Sequence, residues 1–559
     1  MARLTRVTDW LVRWKSDLIG AVERLLHDKL SDTINVKDFG AKGDGVTDDA
    51  PAINAALAGG GRVIVIPKGD YYIRSYLRLY SNTKVIMEPG CTILNDNQVG
   101  ESAFLNGEFG NANYASGYDG ESNITIVGGC IDNRIMKAVS RQSNAIGIAH
   151  GTNIKIEDVV FKNNYKSHFV EINSSKDVSI RNCIFDTLDA ANVPGNRSMI
   201  NIDYAFQDGF PPFGSYDGTV CKNVIIEDCS FYNGDSAVDS HSSPASGGYH
   251  SNINVINCHI ENMLTSGISP RFWADSAIDN CTFFNAGSRT IRAWSAKRFR
   301  LSNSTFLGGG SQYSYSMAVD DVTKIPVSHI ISNCTFESVT GACIVFTGGS
   351  HMVVDSCVAT GCGGNLVSQA YGTTDLTISG CASAGSTGIG SPFQFAGDSV
   401  TLSGCQVVDG AYQFAVNLQG SNSNVVVSGC RLKPGTNGTI RFTSLCKIDG
   451  KWHISLGNDA VVSIPLGDST GNGIVTVSGN WLQSGSTING CYQVRGGSGT
   501  EAISTYYSLS PSPSIMTGVL TGTTGPAGAI SLSVSADNKV YLENRTGSSR
   551  FFVIDMVAF

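Results

Sequence analysis

The chain is short of charge. Asp, Glu, Lys and Arg make up 15% of its 559 residues, where about 25% is usual. A helical protein needs such residues on its surface, so this scarcity argues against one. No run approaches the ~20 apolar residues of a membrane span. There is no basic excess either: the formal net charge is −8, so no whole-chain field exists to hold nucleic acid. The opening MARLTRVTDWLVRWKSDL places Asp9 and Asp17 among its apolar residues. It lacks the uninterrupted apolar stretch of a secretory leader, and folding in a cytoplasm is expected. No CxxC pair or Cys/His cluster has zinc spacing, so neither a metal nor another cofactor is expected. In a reducing compartment the 16 cysteines should be buried thiols.

What is present is glycine, at 64 positions, in a chain that is 42% hydrophobic. That suits many short strands joined by tight turns. One phrase recurs: VSIRNCIF, VIIEDCSF, INVINCHI, SAIDNCTF, FRLSNSTF, HIISNCTF, MVVDSCVA, LTISGCAS, VTLSGCQV and VVVSGCRL. Its shared position runs Cys183, Cys229, Cys258, Cys281, Ser304, Cys334, Cys357, Cys381, Cys405 and Cys430. A period in the low twenties, all strand and turn, predicts a parallel β-helix with one repeat per coil. The thiols then stack inside it as structural groups, with no neighbour to activate them.

Three regions are expected. In residues 1–32, Leu4, Val7, Leu11, Trp14, Leu18, Ala21 and Leu25 form a heptad seam. It predicts a short helix, in a coiled coil or packed on its own domain. Residues 33–450 form the β-helix. They open with an Asp/Gly-rich loop, a helix near 49–58 and the strand RVIVIP, which cap its end. The Asp residues there read as turn and cap formers. Residues 451–559, rich in Gly, Ser and Thr, read as a β-sandwich for trimerisation or sugar binding.

The segment NVKDFGAKGDGVTDDAPAIN, residues 35–54, resembles the opening of the pectate-lyase superfamily of phage tailspikes and polysaccharide-degrading β-helix enzymes. HFVEINSSKDVSIRNCIF, INIDYAFQDGFPPFGSYDGTVCKNVIIEDCSF and AVDSHSS look like blocks of phage capsule depolymerases. The resemblance covers roughly residues 33–440. It implies a right-handed, homotrimeric β-helix acting on a bacterial capsular polysaccharide during host recognition. It also implies a place on the virion tail, with residues 1–32 attaching to an adaptor or another fibre. Polygalacturonase-type hydrolases share the body plan with an Asn-Thr-Asp strand, an Asp pair and a Gly-His-Gly strand. Here Asn201-Ile202-Asp203 and Asp239-Ser240-His241 stand instead, without a clean Asp pair.

A second strand precedes each thiol phrase: HFVEIN, SMINID, SAVDSH, SGISPR, RTIRAW and YSMAVD. Third and fifth positions are mostly apolar and should face the core. The fourth and sixth then share one solvent-facing stripe: Glu171, Asn173, Asn201, Asp203, Asp239, His241, Ser269, Arg271, Arg292, Trp294 and Asp320. With coils about 4.8 Å apart and two residues spanning about 6.6 Å, Asp203 and Asp239 lie roughly 8 Å apart and Glu171 and Asp239 roughly 10 Å. Inverting glycosidases separate their carboxyls by about 6.5–9.5 Å. The candidate catalytic residues are therefore Glu171, Asp203, Asp239 and His241. One carboxyl donates to the glycosidic oxygen and another activates water. Asn201, Arg271, Arg292, Trp294 and Asp320 would bind substrate, with Arg271 clamping a carboxylate or hydroxyl and Trp294 stacking on a sugar. RTIRAWSAKRFR holds five basic residues and no acid, which suggests an anionic polysaccharide. If the sugar is a uronate, the same stripe could serve a lyase, with His241 as base and Arg271 as the neutralising cation. A receptor-binding spike without catalysis is the remaining class. The loops 101–123 and 204–222 are expected to shape the groove.

Overall fold

The turn residue of each repeat explains why the phrase recurs. The residue just before the shared position has a left-handed backbone in every repeat: Asn182, Asp228, Asn257, Asn280, Asn303, Asn333, Ser356, Gly380, Gly404 and Gly429, with φ between 52° and 62°. That region costs an ordinary L-residue about 1–2 kcal/mol, and Asn, Asp and Gly tolerate it best. The corner is thus set by turn chemistry. Before it, alternating residues such as Val224 and Ile226 point inward and are fully buried. After it a short strand such as Ser230–Tyr232 sends Phe231 into the core.

The computed structural model describes the chain apart from residues 1–12, 18, 26–31, 100–101, 136–141, 164–166, 189–197, 210–211, 245–247, 371, 389, 420–423, 442–445, 449, 467–471, 481–486, 497–500, 509–511 and 559. It is all-β and divides into two compact units, residues 1–343 and 344–559.

In the first unit, repeats pair in parallel and in register: Val178 beside Val224 beside Ile253, and Phe185 beside Phe231 beside Ile260. Phenylalanine rings stack from coil to coil, at 4.6 Å for Phe161 and Phe185 and 4.8 Å for Phe185 and Phe231. That is the strand-to-strand spacing, so identical residues superpose. The thiols do likewise. Cys183, Cys229, Cys258 and Cys281 are buried, free, and donate Sγ–H to the carbonyl two residues earlier at 3.2–3.4 Å. The architecture is a parallel β-helix, and its cysteines are structural.

The expected cap begins with the parallel strands Thr33–Asn35, Val63–Ile66 and Lys84–Asn95. The helix Ala50–Leu57 buries Ile53, Ala56 and Leu57. Its aspartates act on backbone: Asp49 accepts from the amides of Lys42 and Gly43 at 2.6 and 2.9 Å, and Asp44 from those of Val46 and Thr47. The N-terminal seam requires a correction. Its described residues form two short antiparallel strands, Arg13–Trp14 and Arg24–Leu25, in place of a helix. Gly20 between them has φ 86°, which turns the chain, and so short a helix without a partner is marginal. Leu4, Val7, Leu11 and Leu18 lie outside the described residues.

In the second unit, Gly349–Asp355, Thr373–Ser379, Val400–Ser403 and Val425–Ser428 continue the repeat in parallel register. Pairing turns antiparallel where Cys446–Ile448 meets Lys451–Leu456. From there a sheet containing Lys451–Leu456, Arg550–Ala558 and Asn472–Asn480 faces a second, containing Ala460–Pro465, Lys539–Asn544 and Ile530–Val534. Both feed one core of Ile454, Val477, Phe552, Ile464, Leu532 and Leu542, which makes a β-sandwich.

Candidate functional site

The site is built on the sheet that precedes each thiol phrase. Val170, Ile200, Val238, Ile268 and Ile291 form one buried row. Strand alternation sends the next residues to the other face, where Glu171, Asn201, Asp239 and Ser269 stand in one column. The expected register holds for these coils. It fails at the last one: Ala318 stands beside Trp294, so Asp320 lies two residues past its assigned place. It still reaches the stripe, because its carboxylate pairs with Arg271.

The stripe was expected to face solvent, and this is corrected. Glu171, Asn173 and Asn201 are 3% exposed and Asp203 2%. The chain beyond Asp239 folds back over Asp203. The amides of His241 and Ser242 donate to Asp203 at 3.3 and 3.2 Å. Ser243 donates to Asp321 at 2.6 Å, and buried Lys324 bonds both at 2.9 and 2.8 Å, pinning the cover down. A buried carboxylate needs such partners. Asn201 Nδ2 bridges two of them, 3.0 Å from Glu171 Oε1 and 3.5 Å from Asp203 Oδ2. The nearest oxygens of Glu171 and Asp203 are thus no more than about 6.5 Å apart, closer than most inverting pairs.

Burial decides the proton affinities. It pushes Glu171 up to about 8, helped by repulsion from Asp203, and Asp203 up to about 6. His241 moves to about 9: burial opposes its charge, but Asp239 beside it at 3.5 Å, with Asp203 and Glu171, outweighs that. At neutral pH Glu171 therefore keeps its proton, Asp203 is mostly ionised and His241 is a cation. Two further histidines, which no sequence pattern marked, complete the cluster. His168 Nε2 lies 3.5 Å from Glu171 Oε2. His250, from a different sheet, accepts the Cys221 amide on Nδ1 at 3.0 Å and is held neutral, with its affinity lowered to about 3 by burial. Its protonated Nε2 lies 3.9 Å from Asp203.

Of the four expected catalytic residues, Asp239 and His241 open into a cleft of about 380 Å³. Arg271, Arg289 and Arg292 line it as well, with Asp235 on its wall. Arg289 is held by Gln312 at 2.7 Å, and the buried Nε of Arg292 has no hydrogen-bond partner. Trp294 does not line this cleft. Its ring backs the Arg292 guanidinium at 4.1 Å, and its Nε1 donates to Ser316 at 2.8 Å, so the arginine occupies a face offered to a sugar. The basic segment splits. Arg289 and Arg292 reach the cleft, whereas Lys297 lies over Tyr249 and Arg298 pairs with Asp275. Arg289 and Asp235 were missed as individual site residues; a stripe read only from fourth and sixth positions excludes both.

Two family models match the chain: "Rhamnogalacturonase A/epimerase, pectate lyase-like" over residues 33–282 and "Right handed beta helix region" over residues 322–505. Residues 33–282 are thus similar to pectate-lyase-like proteins, and the fold is that of a β-helix. Among curated relatives of this β-helix, the Plasmin and fibronectin-binding protein A of Streptococcus pneumoniae is 29% identical over 286 residues, 46% of this chain and 39% of that protein. The tail spike protein of an Escherichia phage is 50% identical over 60 residues, 11% of this chain and 7% of that protein. The matched stretch thus spans less than half of either relative. A mutant tailspike of E. coli bacteriophage HK620, solved with a hexasaccharide, shares the fold at TM-score 0.54 and 11% identity, over 98% of this chain and 97% of that one.

Proposed function

We propose that this β-helix is a tailspike depolymerase that binds an acidic bacterial surface polysaccharide, such as a capsule, and cleaves it by glycoside hydrolysis. One observation carries the reading: Glu171, which keeps its proton up to about 8 because it is buried, stands in the same column as Asp239, which opens into an arginine-lined cleft. Glu171 is the proton donor. Asp239, which opens into the cleft, activates water, and Asp203 holds the charge of His241. His241, with 31% of its side chain exposed, is the most accessible of the four, and it turns aside as substrate enters, opening Glu171 to the glycosidic oxygen. Arg271, Arg289 and Arg292 bind the sugar carboxylates, and Asn201 and Asp320 position Glu171 and Arg271. The two phage tailspike relatives, that of HK620 solved with bound oligosaccharide, support a place on a virion tail. Homotrimeric assembly and attachment through residues 1–32 belong to the same reading.

The arginines also suit a lyase acting on a uronate. With His241 as its base that reaction would need a neutral imidazole, and His241 holds its proton up to about 9, so we favour hydrolysis. Purified full-length protein on an acidic capsule separates the alternatives. A hydrolase yields new reducing ends without unsaturation, a lyase yields unsaturated, ultraviolet-absorbing ends, and a pure binder leaves the polymer intact. Retention of full activity by folded Asp203→Asn and Asp239→Asn variants would remove the hydrolytic assignment.

A further inference from the structure

The loops expected to shape the arginine-lined cleft build a different one. Residues 110–117 and 212–217 clasp each other over the first coils. The Gly117 amide donates to Asp217 at 2.7 Å, the Gly214 amide to the Asn111 carbonyl at 3.0 Å, and the Ser215 amide to the Ala115 carbonyl at 2.8 Å. His150 spans them, with Nδ1 at 2.7 Å from the Gly117 carbonyl and Nε2 at 2.9 Å from that of Ser215. Two adjoining hollows of about 360 and 500 Å³, which share Arg78 and Glu108, lie beside the first of these loops, whose Asn111 and Tyr114 line one of them.

Their walls are aromatic and held in place. Tyr76, Tyr80 and Phe109 line one hollow and Tyr114 the other. Tyr114 packs on buried Phe213 with ring centroids 5.8 Å apart, and its hydroxyl accepts the Glu121 amide at 2.6 Å. Arg78 lies over both Tyr80 and Tyr114, pairs with Glu121 at 3.2 Å, and keeps a buried Nη1 without a hydrogen-bond partner. Glu121 accepts further bonds from the Ser81 amide and hydroxyl at 2.7 and 2.6 Å. Phe109 stands 37% exposed at the rim, an apolar ring with no core to join.

Charge separates this cleft from the catalytic one. Here one arginine stands among Glu108, Asp119 and Glu121, so an anionic sugar is repelled. Aromatic faces pack against sugar C–H groups, and carboxylates and amides accept from hydroxyls. We propose that this cleft is a second, non-catalytic saccharide site that takes uncharged sugars. It rests on the reading of the chain as polysaccharide-active, and it divides recognition: acidic residues of a glycan go to the arginines, neutral ones to the tyrosines.

The test uses the full chain on an array of printed neutral and uronate-containing oligosaccharides, beside an assay of acidic-polysaccharide cleavage. Binding to neutral glycans is expected. It should fall about 10-fold in Tyr80→Ala combined with Phe109→Ala, as expected for losing two ring contacts, while Asp239→Asn leaves it unchanged. Neither substituted residue is buried, and an unshifted melting temperature shows that the variant folds. Absence of neutral-glycan binding, binding indifferent to Tyr80 and Phe109, or binding lost in Arg292→Ala would each overturn the proposal. Loss of cleavage in Asp239→Asn with no neutral binding overturns the second site alone; neutral binding with no cleavage overturns the hydrolase alone.

Discussion

The same coil carries two different outer faces. In the first unit the column reads Glu171, Asn201, Asp239 and Ser269. In the second, the corresponding strands read Ser368, Gln394, Asn417 and Arg441, with no carboxylate. Their inner rows are alike: Ile200 and Val238 in one, Val367 and Phe393 in the other, all fully buried. Repeat length differs as well. Cys183 to Cys229 spans 46 residues, whereas Cys357, Cys381, Cys405 and Cys430 succeed one another at 24 or 25. The column is buried in short repeats too, at Ser269 and Asn417, but a carboxyl stands in it only in the first unit, and a covered carboxyl has its proton affinity driven up by burial. The coil is therefore a shared support, and its two outer faces differ in the residues they carry.

The largest test of that contrast is kinetic. Asp239→Asn should slow cleavage of an acidic polysaccharide by about 10²–10⁴-fold, the usual worth of a general acid or base. Asn417→Ala, in the equivalent column of the second unit, should leave the rate of reducing-end release unchanged. The supports, by contrast, should respond alike. Phe231→Ala and Phe393→Ala each remove a fully buried ring and should each cost about 3–5 kcal/mol, read from denaturant unfolding of the respective unit.

pH should touch the first unit's site and spare the second's column. Cleavage should fall above about 8 as Glu171 loses the proton it donates. Stability should move with it. The folded affinity of Glu171 lies above its ordinary 4.5, so the native state holds a proton that the unfolded chain releases. The melting temperature of the first unit should then fall as pH rises from 4.5 towards 8. His241, raised from 6.5 to about 9, stabilises below 6.5 and loses that contribution as pH climbs through 9, so it adds to the decline. Glu171→Gln should flatten the first slope.

The smallest effect lies at the corners. Gly404 has φ 62° and open space around an added Cβ, whose nearest atom would be 4.0 Å away. Gly404→Ala should therefore cost about 1–2 kcal/mol from backbone conformation alone. Asn257→Gly, at φ 54°, should change thermal stability far less. Equal penalties for the two would mean that the asparagine side chain, which donates to Asp228 at 3.2 Å, matters more than its backbone.

How much could be read beforehand depended on whether a feature repeats. The coil, its ladder of thiols, the Asx and glycine corners and the capping helix were legible, because each repeats or follows local turn rules. The column Glu171–Asn201–Asp239 was legible too, since alternation along a strand is a backbone property. Asp320 was misplaced by two residues because YSMAVD offers more than one apolar register, and the tyrosine Tyr315 took the core position. The N-terminal seam misled because a heptad of apolar residues does not record a left-handed Gly20.

The sequence by itself determined that this chain winds into a β-helix and which residues share its outer face, because both follow from local periodicity. Only the tertiary structure decided that Glu171 and Asp203 lie under cover, that His168 and His250 stand against them, and that Arg289 rather than Trp294 lines the cleft. Those outcomes depend on segments far apart in sequence folding over one another. Burial, which sets the protons on Glu171, Asp203 and His241, is a property of that cover and not of any residue's neighbours along the chain.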